Sequence, residues 1–341
     1  MPVLRRGNVP FHARISSLVL ITKLDNILPI LVFPTMAAIA FKLMFGRILA
    51  SGIDLQAGCK AIPDYTGFSK LDQALCPLIN FFALIMHSPD GFAFLTYISG
   101  IGLPFLLLPL FEAYRPGQNK LLRHPVIWLL LGQFVSVAVA FPLYWLTFIL
   151  RGGPQRTRKS NAKLYTQADA EALVFGVIVG VVIPSVAMLK MDDPIVTALW
   201  QIYPIFIVIA ESVHLFFRPP SRYPQSGFIT LLVLFTTSFI IASSVHMATI
   251  WPLMSNLQRF KEVFLPSFHP LPSSAPATAH YLEVLKWDII FSNLSSVIAT
   301  FWFAENIKQL LLIGLWYLFA IPILGSGAAV AGVALWRNGF L

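Results

Sequence analysis

The chain has 341 residues, of which 57% are hydrophobic and 11% charged, with a formal net charge of +9. A soluble domain carries about 25% charged residues, so this composition excludes a chain that solvates its own surface and points to an integral membrane protein. The basic excess lies in short loops between apolar runs, which directs it at anionic lipid headgroups and not at nucleic acid.

The N-terminal stretch "MPVLRRGNVPFHARISS" is polar and basic for too long to be a signal peptide, and no small-residue cleavage site follows. The first apolar run, Leu18 to Phe41, is expected to stay as an anchor. A spanning helix needs about 20 mostly apolar residues. Eight segments meet that need: 17–41, 91–113, 124–150, 170–189, 195–217, 226–250, 284–304 and 308–336. They predict an all-α, polytopic transmembrane helical bundle, with residues 1–341 as a single membrane domain.

The first long loop, 42–90, holds both cysteines, Cys59 and Cys76. Their separation is not readable from sequence, so a disulfide and two free thiols both stay open. Within that loop "ALCPLINFFALIMH", 74–87, is too short to cross and is read as a re-entrant or interfacial piece. Prolines 29, 34, 104, 109, 142, 184, 204 and 322 fall inside the apolar segments. Each removes a helix hydrogen bond and kinks the axis, and kinked bundles tend to leave a central pocket. The connector 251–283, with "PSFHPLPSSAPATAH", is expected to be a flexible loop. Lysine and arginine divide almost evenly between the two faces, so the orientation in the bilayer stays open.

Ionisable residues inside apolar runs are the candidates for chemistry, because they are costly there and usually functional. Glu211 lies in "PIFIVIAESVHLFFRPP", with His214 and Arg218 three and seven residues on and so on the same helix face. Asp288, in "YLEVLKWDIIFSNLSS", is expected to face the interior, with Asn293 further along. Glu112 ends the second segment in "LLLPLFEAYRPG", and Arg115 is placed to pair with it. Asp25, beside Lys23 and Asn26, and His246, in "IASSVHMATIWP", are supporting candidates for which a structural role stands beside the chemical one.

No DDxxD, DxDD, HExxH, Walker A or GxSxG pattern is present, and the histidine spacing suggests no metal site. No metal and no cofactor are therefore expected. Aromatics are plentiful, as in "FPLYWLTF" and "LWYLFA". Most are expected in interface belts, and a subset facing inward would stabilise a cation through its ring faces.

Taken together, "FHARISSLVL", "FEAYRP", "ESVHLFFRPPSRYP" and "WDIIFSN", spread over the whole length, resemble the fungal membrane-bound terpene cyclases of meroterpenoid pathways such as those of ascofuranone and macrophorin. The resemblance implies proton-initiated cyclisation, without loss of diphosphate, of a farnesyl chain on an aromatic or polyketide head. An acid would protonate a terminal epoxide or alkene, with Glu211 or Asp288 as the acid and Glu112 as the paired or accepting group. The implied partners are the prenylated substrate and membrane lipid, and the expected location is the endoplasmic reticulum membrane. Two other readings use the same buried acids: a proton-coupled small-molecule or lipid transporter, and a lipid isomerase.

Overall fold

The computed structural model describes residues 11–54, 59, 65–155 and 165–339, with side chains from residue 26 onward. These residues build helix upon helix. The first, α1 (Phe11–Ser51), runs past the expected end at residue 41, because "FKLMFGRILA" carries no proline, and its charged residues, Lys42 and Arg47, are good helix formers. Then come α2 (Ser69–Met86) and α3 (Pro89–Ala113), the latter opened by a Ser88 cap and a proline in its first turn. Pro104 and Pro109 sit inside α3 without ending it.

The segment 124–150, expected as a span, is the largest departure from the sequence reading. It breaks at Ser136 into α4 (Pro125–Val135) and α5 (Val137–Leu150). Trp128 on α4 and Tyr144 on α5 bring their rings to 5.8 Å, so the two helices double back on each other. At 1.5 Å per residue, α4 reaches only about 16 Å, roughly half the hydrocarbon core of a bilayer. Gly132 permits the turn, since a Cβ there would meet Val137 Cγ1 at 2.9 Å. Ser136 itself has φ 113° and ψ 144°, a backbone region that residues with a Cβ rarely adopt.

After this hairpin, α6 (Gln167–Met191) starts on a capping box between Thr166 and Asp169. It carries a π turn at Ile178–Val182. Pro184 supplies the cause: it has no N–H for the Gly180 carbonyl four residues back, and the wider turn absorbs the mismatch. The expected span 195–217 is two helices, α7 (Pro194–Gln201) and α8 (Tyr203–Phe217), bent by 66°. Next is α9 (Phe228–Ile250). The 251–283 connector is partly helical: a 3-10 turn, Trp251–Ser255, precedes α10 (Leu257–Phe264), and α11 (Ala277–Thr300) starts before residue 283. The last expected span, 308–336, is likewise two helices, α12 (Ile307–Leu324) and α13 (Ser326–Arg337), turning at Gly325 with φ 88°.

Six of these helices are long and apolar enough to cross a membrane, or seven if α7 and α8 count as one bent span. Counted as seven, the difference from eight is the hairpin of α4 and α5. Large apolar side chains stay exposed in rows, as on α12, where Leu311, Leu312, Leu315 and Leu318 are each more than half exposed. Such a face suits lipid and not water.

Contacts fix which ends lie together. At one end are the Cys59–Cys76 disulfide, the His87–Asp192 pair at 3.2 Å and the Arg259–Asp90 pair. At the other, Tyr165 donates to the Phe111 carbonyl at 3.1 Å, Phe148 meets Phe303, and Arg337 pairs with Glu305 at 3.6 Å. The hairpin enters from this second end. Its tip and its exit both lie against α11, with Ser136 on Asp288 and Trp145 donating to Ser296 Oγ at 2.9 Å.

Candidate active site

A cavity of about 560 Å³ lies between α1, α2, α3, the hairpin, α6, the α7–α8 bend and α11. Its walls are apolar and aromatic, with Phe81, Phe82, Phe105, Phe141, Trp200 and Tyr203 among them. Small-molecule sites span about 300–1,000 Å³ and combine such walls with a few placed polar groups. Among the described residues lining it, Asp288 is the one carboxylate.

Asp288 is held at the hairpin tip. Its Oδ1 accepts from Ser136 Oγ at 2.6 Å and from the Ala138 backbone N–H at 2.8 Å. Ser136 Oγ also accepts from Ala138 N at 3.0 Å, so serine and aspartate cap the start of α5 together. The aspartate thus sits at the positive end of a helix dipole in mid-bundle. Among the described residues its Oδ2 takes no hydrogen bond and is not sealed from space. Asn293 lines the same cavity and donates to Ser326 Oγ at 3.2 Å, at the first turn of α13.

The other expected site residues lie elsewhere. Glu112 and Arg115 are buried at the second end of the bundle, joined at 2.5 Å. Arg115 also donates to Asn338 Oδ1 and lies 5.0 Å from the Phe111 ring, while Gln118 Nε2 donates to the Glu112 carbonyl at 2.9 Å. This network ties α3 to the end of α13 and does not line the cavity. Glu211 is absent from the cavity wall too. Its side chain packs on Gly176, where a Cβ would meet Glu211 Cγ at 2.7 Å, and it faces the Tyr114 hydroxyl. Burial first, and then the Glu211 carboxylate, hold the Tyr114 phenol well above its ordinary range, so it stays a hydroxyl. Of the three candidate acids, the described cavity wall thus holds Asp288 and not Glu112 or Glu211. Glu112 is held near the second end by Arg115, and Glu211 lies against Gly176 and Tyr114.

His214 and Arg218 do share a face, but their acid is Glu171 on α6. Arg218 Nε donates to it at 2.7 Å, and Gln167 Nε2 donates at 3.0 Å. His246 accepts from Tyr97 OH at Nδ1, 2.8 Å away, and donates from Nε2 to the Pro322 carbonyl at 3.2 Å, satisfying a carbonyl at the end of α12. These two bonds occupy both ring nitrogens. Asp25 falls outside the described side chains.

Sequence reasoning missed Glu171 and Ser136. Glu171 falls at the polar edge of the expected span 170–189, and α6 starts three residues earlier, which sets it one turn into the helix. For Ser136 a signal existed: a segment overlong for one span, with "GQFVS" at its middle. Among the described residues no three His, Cys, Asp or Glu side chains come together as a metal site.

The family model of the CtvD domain matches residues 51–337 of the chain. Terpene cyclase ascI of Acremonium egyptiacum is 27% identical over 277 residues, covering 74% of this chain and 70% of that protein. Terpene cyclase ctvD of Aspergillus terreus is 25% identical over 154 residues, covering 41% of this chain and 43% of that protein. No solved structure matches the chain. A match over this much of its length places the chain in the CtvD-domain family.

Proposed function

We propose that the protein is an integral membrane terpene cyclase that starts cyclisation by proton transfer, with Asp288 as the acid. The observation that carries this reading is a single carboxylate in the wall of an apolar, aromatic cavity, bonded through one oxygen and open at the other. In its neutral form, Asp288 presents the Oδ2–H to the terminal epoxide or alkene of a folded farnesyl chain. As the proton leaves, charge appears on the carboxylate. The Ser136 hydroxyl, the Ala138 N–H and the α5 dipole already point at it and stabilise it without reorganising. The cation then runs along the chain between ring faces that favour positive charge, and the apolar walls keep water from quenching it. Loss of a proton, from the final cation or from a hydroxyl that captures it, ends the reaction, and uptake of one proton by the Asp288 carboxylate restores the acid, so that the product is an isomer of the substrate.

The substrate class proposed is a farnesylated aromatic or polyketide, delivered from the lipid phase, and the proposed location is the endoplasmic reticulum membrane. Terpene cyclase is what both named relatives are called. Membrane integration is supported by the six long apolar helices and their exposed leucine rows.

The test is product formation by membranes holding this chain, given farnesylated phenols and their terminal epoxides with no ion gradient. A cyclic isomer that disappears with Asp288→Asn supports the reading. Uptake of unchanged substrate into sealed vesicles, with no product, would replace it with a transporter.

A further inference from the structure

Gln201 ends α7 at the bend into α8 and forms part of the cavity wall. It is 3% exposed, and among the described residues neither its Nε2 nor its Oε1 has a hydrogen-bond partner. Buried polar groups are paired in roughly 90% of cases or more, so a primary amide with both poles orphaned calls for a reason. Neighbouring polar side chains show no such defect. Trp200 Nε1 donates to Ser185 Oγ at 3.1 Å, and Thr197 Oγ1 donates to the Asp193 carbonyl at 3.1 Å. Other buried side chains carry an orphaned atom, but among the described residues Gln201 is the one of these that lines the cavity. A methionine of similar volume would fit these walls at lower cost.

We infer that Gln201 recognises the polar head of the substrate and so fixes which end of the molecule faces Asp288. A side-chain amide offers one acceptor and two donors. Its carbonyl accepts from a hydroxyl, and its NH2 donates to an oxygen of the same ring system. The matching ligand class is a phenol or other hydroxylated ring bearing the prenyl chain. Asp288 stands on a different wall, on α11, so a head held at α7 leaves the chain to run toward the acid. This inference rests on the cyclase reading and names its specificity residue.

The test compares wild type with Gln201→Met. The probes are a farnesylated phenol, its terminal epoxide, and the terminal epoxide of farnesol methyl ether, which lacks the ring. The variant is expected to weaken binding of the farnesylated phenol to purified protein by about tenfold or more, the order of one lost hydrogen bond. KM for the phenol epoxide should rise to match, with kcat little changed. Turnover of the ring-free epoxide and the melting temperature should stay at wild-type values, or the melting temperature should rise. Equal losses on both epoxides, with lower melting, would make Gln201 structural and overturn the inference. Unchanged constants on all three probes would overturn it as well and leave the amide to an ordered water. Should wild type cyclise neither epoxide, the proposed reaction fails, while the binding comparison still decides Gln201.

Discussion

Ser136 and Asp288 depend on each other. The serine hydroxyl caps α5 and holds the carboxylate, and the carboxylate in turn binds the Ala138 N–H. Asp288→Asn keeps an acceptor at Oδ1 and removes only the acidic proton. It is expected to cut turnover by about 100-fold or more while leaving the melting temperature near wild type. Ser136→Ala should lower turnover by roughly tenfold and cost about 1 kcal/mol through the lost cap. Ser136→Gly loses the same hydroxyl but relieves the positive φ, so thermal melts should rank it above the alanine variant. Glu112 and Arg115 answer to a different rule. Truncating Arg115 to alanine strands a buried charge and should cost on the order of 3–5 kcal/mol, read as lost expression or early melting. Sequence could flag all these acids as costly, since each interrupts or ends an apolar run. It could not separate Asp288 from Glu211, because nothing local records that Gly176 and Tyr114 wait for one and a helix start waits for the other.

At the scale of elements, caps and breakers were legible and tertiary folding was not. The serine, proline and Thr-x-x-Asp starts of α3 and α6 can be read directly from the residues that make them. The hairpin cannot. Hydropathy sees the same apolar run whether α4 continues into α5 or turns back, since both arms are greasy on every face. Close helix approach is equally silent until coordinates give it meaning. Gly176 and Gly180 let α8 lie directly on α6, and a Cβ at Gly180 would meet the Ile207 backbone nitrogen at 2.6 Å. Gly180→Ala must push the two helices apart, with an expected cost of about 1–3 kcal/mol, measured as a lower melting temperature in detergent. Because Ile207 is on the same helix as Tyr203, which lines the cavity, turnover should fall with it.

For the whole molecule, the membrane class followed from composition alone, while the span count required knowing where the chain turns. The Cys59–Cys76 bridge settles the pairing that sequence left open, across a separation of 17 residues. A loop of that size is worth about 3 kcal/mol in the chain-entropy account. Cys76→Ser, or reductant on wild type, is expected to lower the melting temperature accordingly. The bridge also sits on α2, which carries Pro77, Phe81 and Phe82 into the cavity wall, so the unbridged protein should lose turnover before it unfolds. That bond has a geographical consequence. Glutathione on the cytosolic side keeps thiols reduced, so the end of the bundle that carries the bridge is expected to face an oxidising lumen. The Arg115–Asn338 end, from which the doubled-back pair enters, is then expected on the cytosolic side. A membrane-impermeant maleimide added to sealed, reduced microsomes should accordingly leave both cysteines unlabelled until detergent opens the vesicles.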